Sequence, residues 1–417
     1  MDQSPTPAIH PERVALVLAR SSSCLVQVAG LPLVLRSVLA ALRAGVDRVV
    51  VLGPADEAVH AAVRDGLRRR HAGAMVAARV SLASDSFVMI IAPQMLVTPA
   101  GLRAVVRRWP DVDDPIAPIL GTVHGEPCVA VCRARDLAAA ALDVDTAELV
   151  FGRFARDDAP AIGLEDQACQ RVRDVHDVAA AESALCERMR AESAASDGVL
   201  ARVVDRRVSC FLSRLIVRWT ALTPNAITGI GTAIGLAGAL ALARGGYALG
   251  LVGTILFLAA AIVDGCDGEV ARLTFRESAF GQKLDVATDN LVHLAIFVGL
   301  AVGVRHRVAE GRAAALAVLL LGGFALNGAL SYYYLVVRTE WRQAGVLPAG
   351  ARRILGGLEG LMNRDFAYLL VVLAVVGRLD WFLWGAAIGS YAFAAAFVLV
   401  HRSATRKGST ALLGSTE

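Results

Sequence analysis

Four aspartates and one arginine stand between two long apolar runs: Asp264, Asp267, Arg272, Asp285 and Asp289. Ionisable groups this close to a bilayer are expensive and are functional candidates by default. Asp264 and Asp267 are three residues apart, Asp285 and Asp289 four, so on helices each pair shares one face. Two helical ends that each offer two carboxylates can clamp one or two hard divalent cations, and Mg2+ and Mn2+ prefer such oxygen ligands. One acid at a helix end is usually just solvated. Four in this pattern, inside the most apolar half of the chain, are not accounted for in that way.

The elements that carry these residues are apolar helices. Six apolar segments follow Thr223: approximately 225–243, 247–263, 284–304, 313–337, 366–379 and 381–400. The first four are long enough to span a bilayer, and the fifth is short and needs its flanks. The second and third carry the aspartates at their facing ends. Thr223 suits a helix cap and Pro224 the first turn of the first span. Gly229, Gly231, Gly235 and Gly238 in that span predict close helix packing and no substrate site.

Before the first span, Arg202, Arg206, Arg207, Arg214 and Arg218 alternate with Leu200, Val203, Val204, Phe211, Leu212, Leu215 and Ile216. This predicts a basic amphipathic helix lying in the lipid headgroup layer. Loop charge gives the orientation. The loops after spans one, three and five hold Arg244, then Arg305, Arg307 and Arg312, then Arg378. The opposite side holds the amphipathic helix, Arg272, Arg276, Lys283, Arg338, Arg342, Arg352, Arg353, Arg364, Arg402, Arg406 and Lys407. The imbalance predicts a multi-pass protein of the cell (inner) membrane, with the N-terminal domain, the aspartates and the C-terminus in the cytoplasm. The basic patch at 305–312 is a mild violation.

Composition agrees. The 417 residues are 56% hydrophobic, with a mean hydropathy of +0.54, high for a soluble chain and expected of a membrane protein with a soluble part. A net charge of +4 gives no reason to expect nucleic acid as a partner. Seven cysteines without a CxxC pair predict no zinc site and reduced, cytosolic thiols. The N-terminus has neither a basic n-region nor an apolar h-region, so no signal peptide is expected.

The first 190 residues read as a soluble α/β domain. Val14–Leu18, Val49–Leu52 and Phe87–Ile91 are strand-length apolar runs, and 31–43 and 56–70 have helical periodicity. Strands alternating with helices predict a mainly parallel sheet covered by helices. The run GLPLVLRSVLAALRAGVDRVVV resembles the start of a sugar-phosphate nucleotidyltransferase domain of the cytidylyltransferase type, a Rossmann-like fold. The segment Asp174-Val-His-Asp-Val-Ala resembles that family's closing stretch. The catalytic parts depart from it. No glycine follows Leu18 until Gly30, although backbone amides need glycine to approach phosphates closely. Ala92, Pro93 and Gln94 stand where the family places a metal-binding aspartate, and Asp85 precedes the strand. The domain is therefore expected to be inactive, with Arg20 and the serines beside it able to hold a phosphate only weakly.

The aspartate stretch follows the pattern Asp-x2-Asp-Gly-x2-Ala-Arg-x8-Gly-x3-Asp-x3-Asp without a gap. It resembles the signature of the CDP-alcohol phosphotransferase (CDP-alcohol phosphatidyltransferase) family of six-span membrane enzymes. The likeness covers about 200–402. The fused soluble domain resembles the arrangement in inositol-phosphate cytidylyltransferase/di-inositol-phosphate synthase fusions. The organisation expected is a cytidylyltransferase-like domain at 1–190 and a linker with the amphipathic helix at 191–222. A six-helix membrane domain follows at 223–402, then a disordered tail at 403–417.

The resemblance implies transfer of a substituted phosphate from a CDP-alcohol to an acceptor hydroxyl, with release of CMP, in phospholipid or inositol-phosphodiester synthesis. Asp264, Asp267 and Asp285 are the expected ligands of Mg2+ or Mn2+, as a pair of ions. Asp289 touches a metal too and, by resemblance, is the general base. Gly268 and Gly281 leave room for a nucleotide, Ala271 keeps that face small, and Arg272 suits a phosphate. Asn225 and Thr228 are cytidine or phosphate contacts by resemblance only. Arg338, Arg342, Arg352 and Arg353 are acceptor candidates if the acceptor carries a phosphate, though positive-inside residues need no such role. Family members pair as dimers, so a homodimer is expected on the same basis. Two rivals stay open. One is a bifunctional enzyme whose first domain makes CDP-inositol from CTP. The other is a divalent-cation transporter, though transporters usually break their helices near the midplane.

Overall fold

The computed structural model describes residues 12–20, 22–53, 57–68, 74–107, 118–137, 142–157, 159–193, 201–305, 310–332 and 365–413. The chain divides into two compact units. One takes in residues up to Ala191 together with Leu273–Arg276, and the other comprises Glu192–Arg272 and the residues from Glu277 onward.

The first unit is built on a seven-stranded sheet: β1 (Arg13–Leu18), β2 (Arg48–Leu52), β3 (Met75–Ala77), β4 (Phe87–Ile91), β5 (Ile119–Val123), β6 (Glu126–Arg133) and β7 (Ala161–Gly163), in the order β7-β5-β6-β4-β1-β2-β3. The central strand β1 pairs in parallel with both neighbours, Leu16 lying opposite Val50 and Ile90. Only β6 runs antiparallel to its neighbours β4 and β5. The apolar runs at 14–18, 49–52 and 87–91 are continuous and not alternating because these strands are covered on both faces. Helices α1 (Leu33–Ala44), α2 (Glu57–Arg68), α3 (Pro99–Arg107), α4 (Val144–Arg156) and α5 (Val178–Ser193) accompany the sheet. Helix α1 stops at Gly45, which adopts φ +94° and donates its amide to Leu42 O at 3.2 Å, a left-handed closure that suits a residue without Cβ. Phe275 also belongs to this unit's hydrophobic core, with the guanidiniums of Arg36 and Arg43 at 5.4 and 5.5 Å from its ring centre.

All seven cysteines are described and buried, and none forms a disulfide. Cys128 and Cys132, four apart on β6, lie inside the sheet core, and Cys128 Sγ donates to Gly121 O at 3.2 Å. Burial pushes the Cys128 thiol up to about 12, so at pH 8 it stays protonated and poorly nucleophilic. Native protein treated with N-ethylmaleimide at pH 8 should label Cys128 at least about 100-fold more slowly than denatured protein, read by peptide mass spectrometry.

The second unit is helical: α6 (Arg206–Trp219) behind a π-helical turn at Ala201–Asp205, then α7 (Pro224–Arg244), α8 (Tyr247–Leu273), α9 (Ala279–Val304), α10 (Glu310–Tyr332), α11 (Asp365–Val376) and α12 (Leu379–Leu413). Thr223 caps α7, accepting from the Ala226 amide at 3.3 Å, with Pro224 in the first turn. Where the sequence predicts six spans, three helices among the described residues are long and apolar enough to cross a membrane: α7, α8 and α9. Shorter apolar stretches run over Ala314–Leu330 and Phe366–Val376. Helix α12 continues through Leu413, into the stretch 403–417 that reads as a disordered tail. Extending an existing helix adds a hydrogen bond for each residue fixed, with no new nucleus to form.

Helices α7 and α9 pack closely because glycine lines their contact. A Cβ on Gly299 would collide with the Ala239 carbonyl, and one on Gly235 would lie 2.5 Å from a Val292 methyl. Backbone approach of this kind is the usual route to tight association between apolar helices.

Candidate functional site

The site is formed by the last turns of α8 and the first turns of α9, with α7 alongside. Helix α8 runs unbroken through Asp264 and Asp267 to Leu273. Helix α9 opens at a cap in which Ser278 Oγ accepts from the Gly281 amide at 2.9 Å, which sets Asp285 in its second turn and Asp289 one turn further. Carboxylate oxygens of Asp264, Asp267 and Asp285 all lie within 4.8 Å of one another, and they are the group of metal-ligating side chains that converges among the described residues.

This trio fits a hard cation. Asp267 is buried at 6% exposure, and Asp264 and Asp285 are half-buried. Two like charges about 4.8 Å apart repel by roughly 3 kcal/mol at an effective dielectric of about 20. Three such pairs in a partly desolvated place favour a divalent ion among them. Metal–oxygen distances of about 2.1 to 2.4 Å put opposite ligands of one ion about 4.2 to 4.8 Å apart, the span of this trio. All donors are carboxylate oxygens, which suits Mg2+ or Mn2+ and gives nothing to a soft metal.

Asp289 does not belong to the converging trio. Its side chain is half exposed, and its Oδ1 lies 3.2 Å from Nδ1 of His293, one turn on. The same nitrogen lies 2.8 Å from the Asp289 carbonyl oxygen. The ring of His293 packs in a three-ring cluster with Phe257 and Phe366, at centroid distances of 5.7 and 5.5 Å. His293 reads from the sequence as a polar residue bridging apolar helices; here it contacts Asp289.

The other expected site residues divide into two groups. Thr228 Oγ1, buried, donates to Asp267 Oδ2, with the Pro224 carbonyl a second, longer contact of the same hydroxyl at 3.2 Å, so this hydroxyl orients an aspartate. Asn225 is exposed, and its Oδ1 would lie 3.2 Å from a Cβ on Gly281, so the start of α7 and the start of α9 meet at that glycine. At Gly268 a Cβ would meet nothing within 4 Å, leaving that side of α8 open. Ala271 is buried, and Arg272 Nε donates to the Gly268 carbonyl of its own helix at 3.2 Å. The acceptor candidates Arg338, Arg342, Arg352 and Arg353 lie outside the described residues.

Glu269, at a variable position of the signature, is 1% exposed and bonded to α6. The signal available was a third acid within six residues of Asp264, facing a helix on which Ser209 and Ser213 stand four apart.

Fold and site together define a helical domain that has, among its described residues, three helices long and apolar enough to cross a membrane and a cluster of three converging carboxylates at the end of one and the start of the next. Residues 221–377 match the family model of CDP-alcohol phosphatidyltransferase. Curated relatives include a bifunctional IPC transferase and DIPP synthase of Rubrobacter xylanophilus, 37% identical over 154 residues, which are 34% of this chain and 32% of the relative. A protein of the same name from Archaeoglobus fulgidus is 26% identical over 226 residues, 54% of this chain and 42% of the relative. The chain thus matches less than half the length of either relative. Among solved structures, the Mycobacterium tuberculosis phosphatidylinositol phosphate synthase with CDP-DAG bound is 22% identical, with a TM-score of 0.30, covering 48% of this chain and 92% of that one. At that score the likeness supports no further inference.

Proposed function

We propose that the chain is a multi-pass membrane enzyme that transfers a substituted phosphate from a CDP-alcohol donor to the hydroxyl of an acceptor alcohol, releasing CMP. The observation that carries this reading is the convergence of Asp264, Asp267 and Asp285 within the segment that matches the family.

In this reading the acceptor oxygen bonds to the alcohol-bearing phosphorus, and the bridging oxygen leaves with CMP. A hydroxyl attacks a doubly charged pyrophosphate only if that charge is neutralised. Asp264, Asp267 and Asp285 would hold Mg2+ or Mn2+, two ions in all, and the metal would supply that neutralisation and stabilise the departing CMP. Thr228 holds Asp267 in place through its hydroxyl, which favours a ligand-orienting role over the nucleotide contact the resemblance implies. Gly268, beside which a Cβ would meet nothing, would leave room for the nucleotide; by resemblance Ala271 and Gly281 would keep that face small, Asn225 would contact the nucleotide, and Arg272 would pair with a phosphate. Asp289, outside the trio and solvent-accessible, accepts the proton of the acceptor hydroxyl. If the acceptor carries a phosphate, Arg338, Arg342, Arg352 and Arg353 are the cations placed by sequence to meet it.

The architecture proposed has six spans, with the aspartates and both termini on the cytoplasmic face of the cell membrane, and the working form is a homodimer. The first domain is proposed to be a cytidylyltransferase-like fold without activity. Arg20, the basic residue after its first strand, pairs with Asp145 at 3.0 Å and with Glu148, carboxylates that a triphosphate would have to displace. The names of the curated relatives favour a second reading, in which donor and acceptor are inositol compounds and the first domain makes CDP-inositol.

The purified full-length protein should release CMP from at least one member of a panel of CDP-alcohols and acceptors, including the inositol compounds, with Mg2+ or Mn2+. Release of pyrophosphate from CTP and inositol phosphate would favour the bifunctional reading. Cation flux into liposomes without any CMP release would replace the enzyme by a transporter.

A further inference from the structure

Helix α8 is gripped on two sides. On one, Thr228 of α7 donates to Asp267. On the other, Glu269 accepts from Ser209 Oγ at 2.7 Å and from Ser213 Oγ at 2.8 Å, both serines belonging to α6. Arg206 Nη1 lies 3.6 Å from the same carboxylate. Every member of this cluster is withdrawn from solvent: Glu269 and Ser209 are 1% exposed, Ser213 is fully buried, and the Arg206 side chain is 13% exposed. Around it Ile227, Cys266 and Val270 form an apolar seam, with Leu212, Ile216 and Val217 of α6 packed against them. A buried carboxylate is costly unless its oxygens are bonded, and here each oxygen has its own hydroxyl donor and a cation stands beside one.

Helix geometry makes this clamp matter to the site. Glu269 follows Asp267 by two residues, about 200° around the helix, so the two carboxylates face roughly opposite sides of α8. Fixing one fixes the azimuth of the other. A carboxylate about 6 Å from the helix axis moves about 1 Å for each ten degrees of rotation, and displacements of that size are costly at metal and reaction centres. Arg206 and the two serines come from α6, whose other side chains include the exposed Phe211 and Trp219.

We propose that Glu269 is a positioning residue: clamped by Ser209, Ser213 and Arg206, it sets the rotation of α8 and with it the metal-binding geometry of Asp264 and Asp267. This rests on the trio being a divalent-cation site, as in the proposed function, but not on which substrates are used. The test uses the full-length protein in detergent or nanodiscs with Mn2+ alone as the probe, free Mn2+ being counted by electron paramagnetic resonance. Glu269→Ala should weaken Mn2+ binding at least about tenfold. Glu269→Gln should stay within about threefold of wild type, because an amide can still accept from one serine and donate to the other. Unchanged Mn2+ affinity in Glu269→Ala overturns the proposal, as does an equal loss in both variants. Should Glu269→Ala fail to fold, the Ser209→Ala/Ser213→Ala double variant decides by the same tenfold criterion. A wild type that binds Mn2+ but releases no CMP from any donor refutes the enzymatic reading and leaves the clamp to be judged on its own.

Discussion

Replacing Asp289 by asparagine should abolish turnover while leaving donor binding nearly intact. Asparagine has the shape of aspartate but cannot take a proton from the acceptor hydroxyl. The loss of a general base usually costs about 10²- to 10⁴-fold in rate, and the fall should appear in kcat for CMP release. The geometry separates this effect from a metal effect. Asp289 lies outside the converging trio, half exposed, with His293 against its Oδ1 at 3.2 Å. The Kd for a CDP-alcohol measured with metal present should therefore change by less than about threefold, since the ligand set that grips the pyrophosphate is untouched. Turnover by Asp289→Asn within tenfold of wild type would show that another group takes the proton. A donor Kd that collapses together with kcat would move Asp289 into the ligand set.

The second large effect concerns the trio. Removing divalent cations with a chelator should bring CMP release to background, and adding back Mg2+ or Mn2+ should restore it. Asp267→Ala should do the same damage in a manner that added metal repairs poorly. The reason is positional. Asp267 is the most buried of the three and the one whose oxygen is held by the Thr228 hydroxyl, so its removal takes away a preorganised ligand and leaves Thr228 without its acceptor. Rate loss of at least about 10³-fold is expected from losing metal-based charge stabilisation on the pyrophosphate, which is worth several kcal/mol. Titrating Mg2+ against wild type, Asp267→Ala and Thr228→Val would check this. The half-maximal metal concentration should rise most for Asp267→Ala and by a smaller factor for Thr228→Val. Metal-independent activity in the chelated wild type would remove the trio from the mechanism.

Much of the chain's plan could be read before any fold was known, because it rests on local regularities. The apolar runs at 14–18, 49–52 and 87–91 became strands of one sheet since continuous apolar strands need cover on both faces. The cap at Thr223 and the proline after it fixed the start of α7. The length and composition of α7, α8 and α9 follow from the hydrocarbon thickness they suit. The strict spacing of the eight signature positions named the family segment before residues 221–377 were matched to it.

Where reading failed, a contact between helices was involved. Spacing alone predicts four carboxylates acting together; it cannot say that three converge and the fourth turns to His293, because periodicity fixes the face of a residue on its own helix and not the distance to the next helix. That Thr228, a nucleotide contact by resemblance, is bonded to Asp267 is likewise a fact about two helices that spacing does not carry. Glu269 looked like a variable position in a motif. Only the seating of α6 against α8 made it a buried carboxylate with two hydroxyl partners. The sequence by itself determined which chemistry the chain carries: hard-metal carboxylates at the end of one apolar helix and the start of the next. The tertiary structure decided which of those carboxylates converge and what holds them in place, because that depends on how helices rotate and pack against one another, a quantity no single helix encodes.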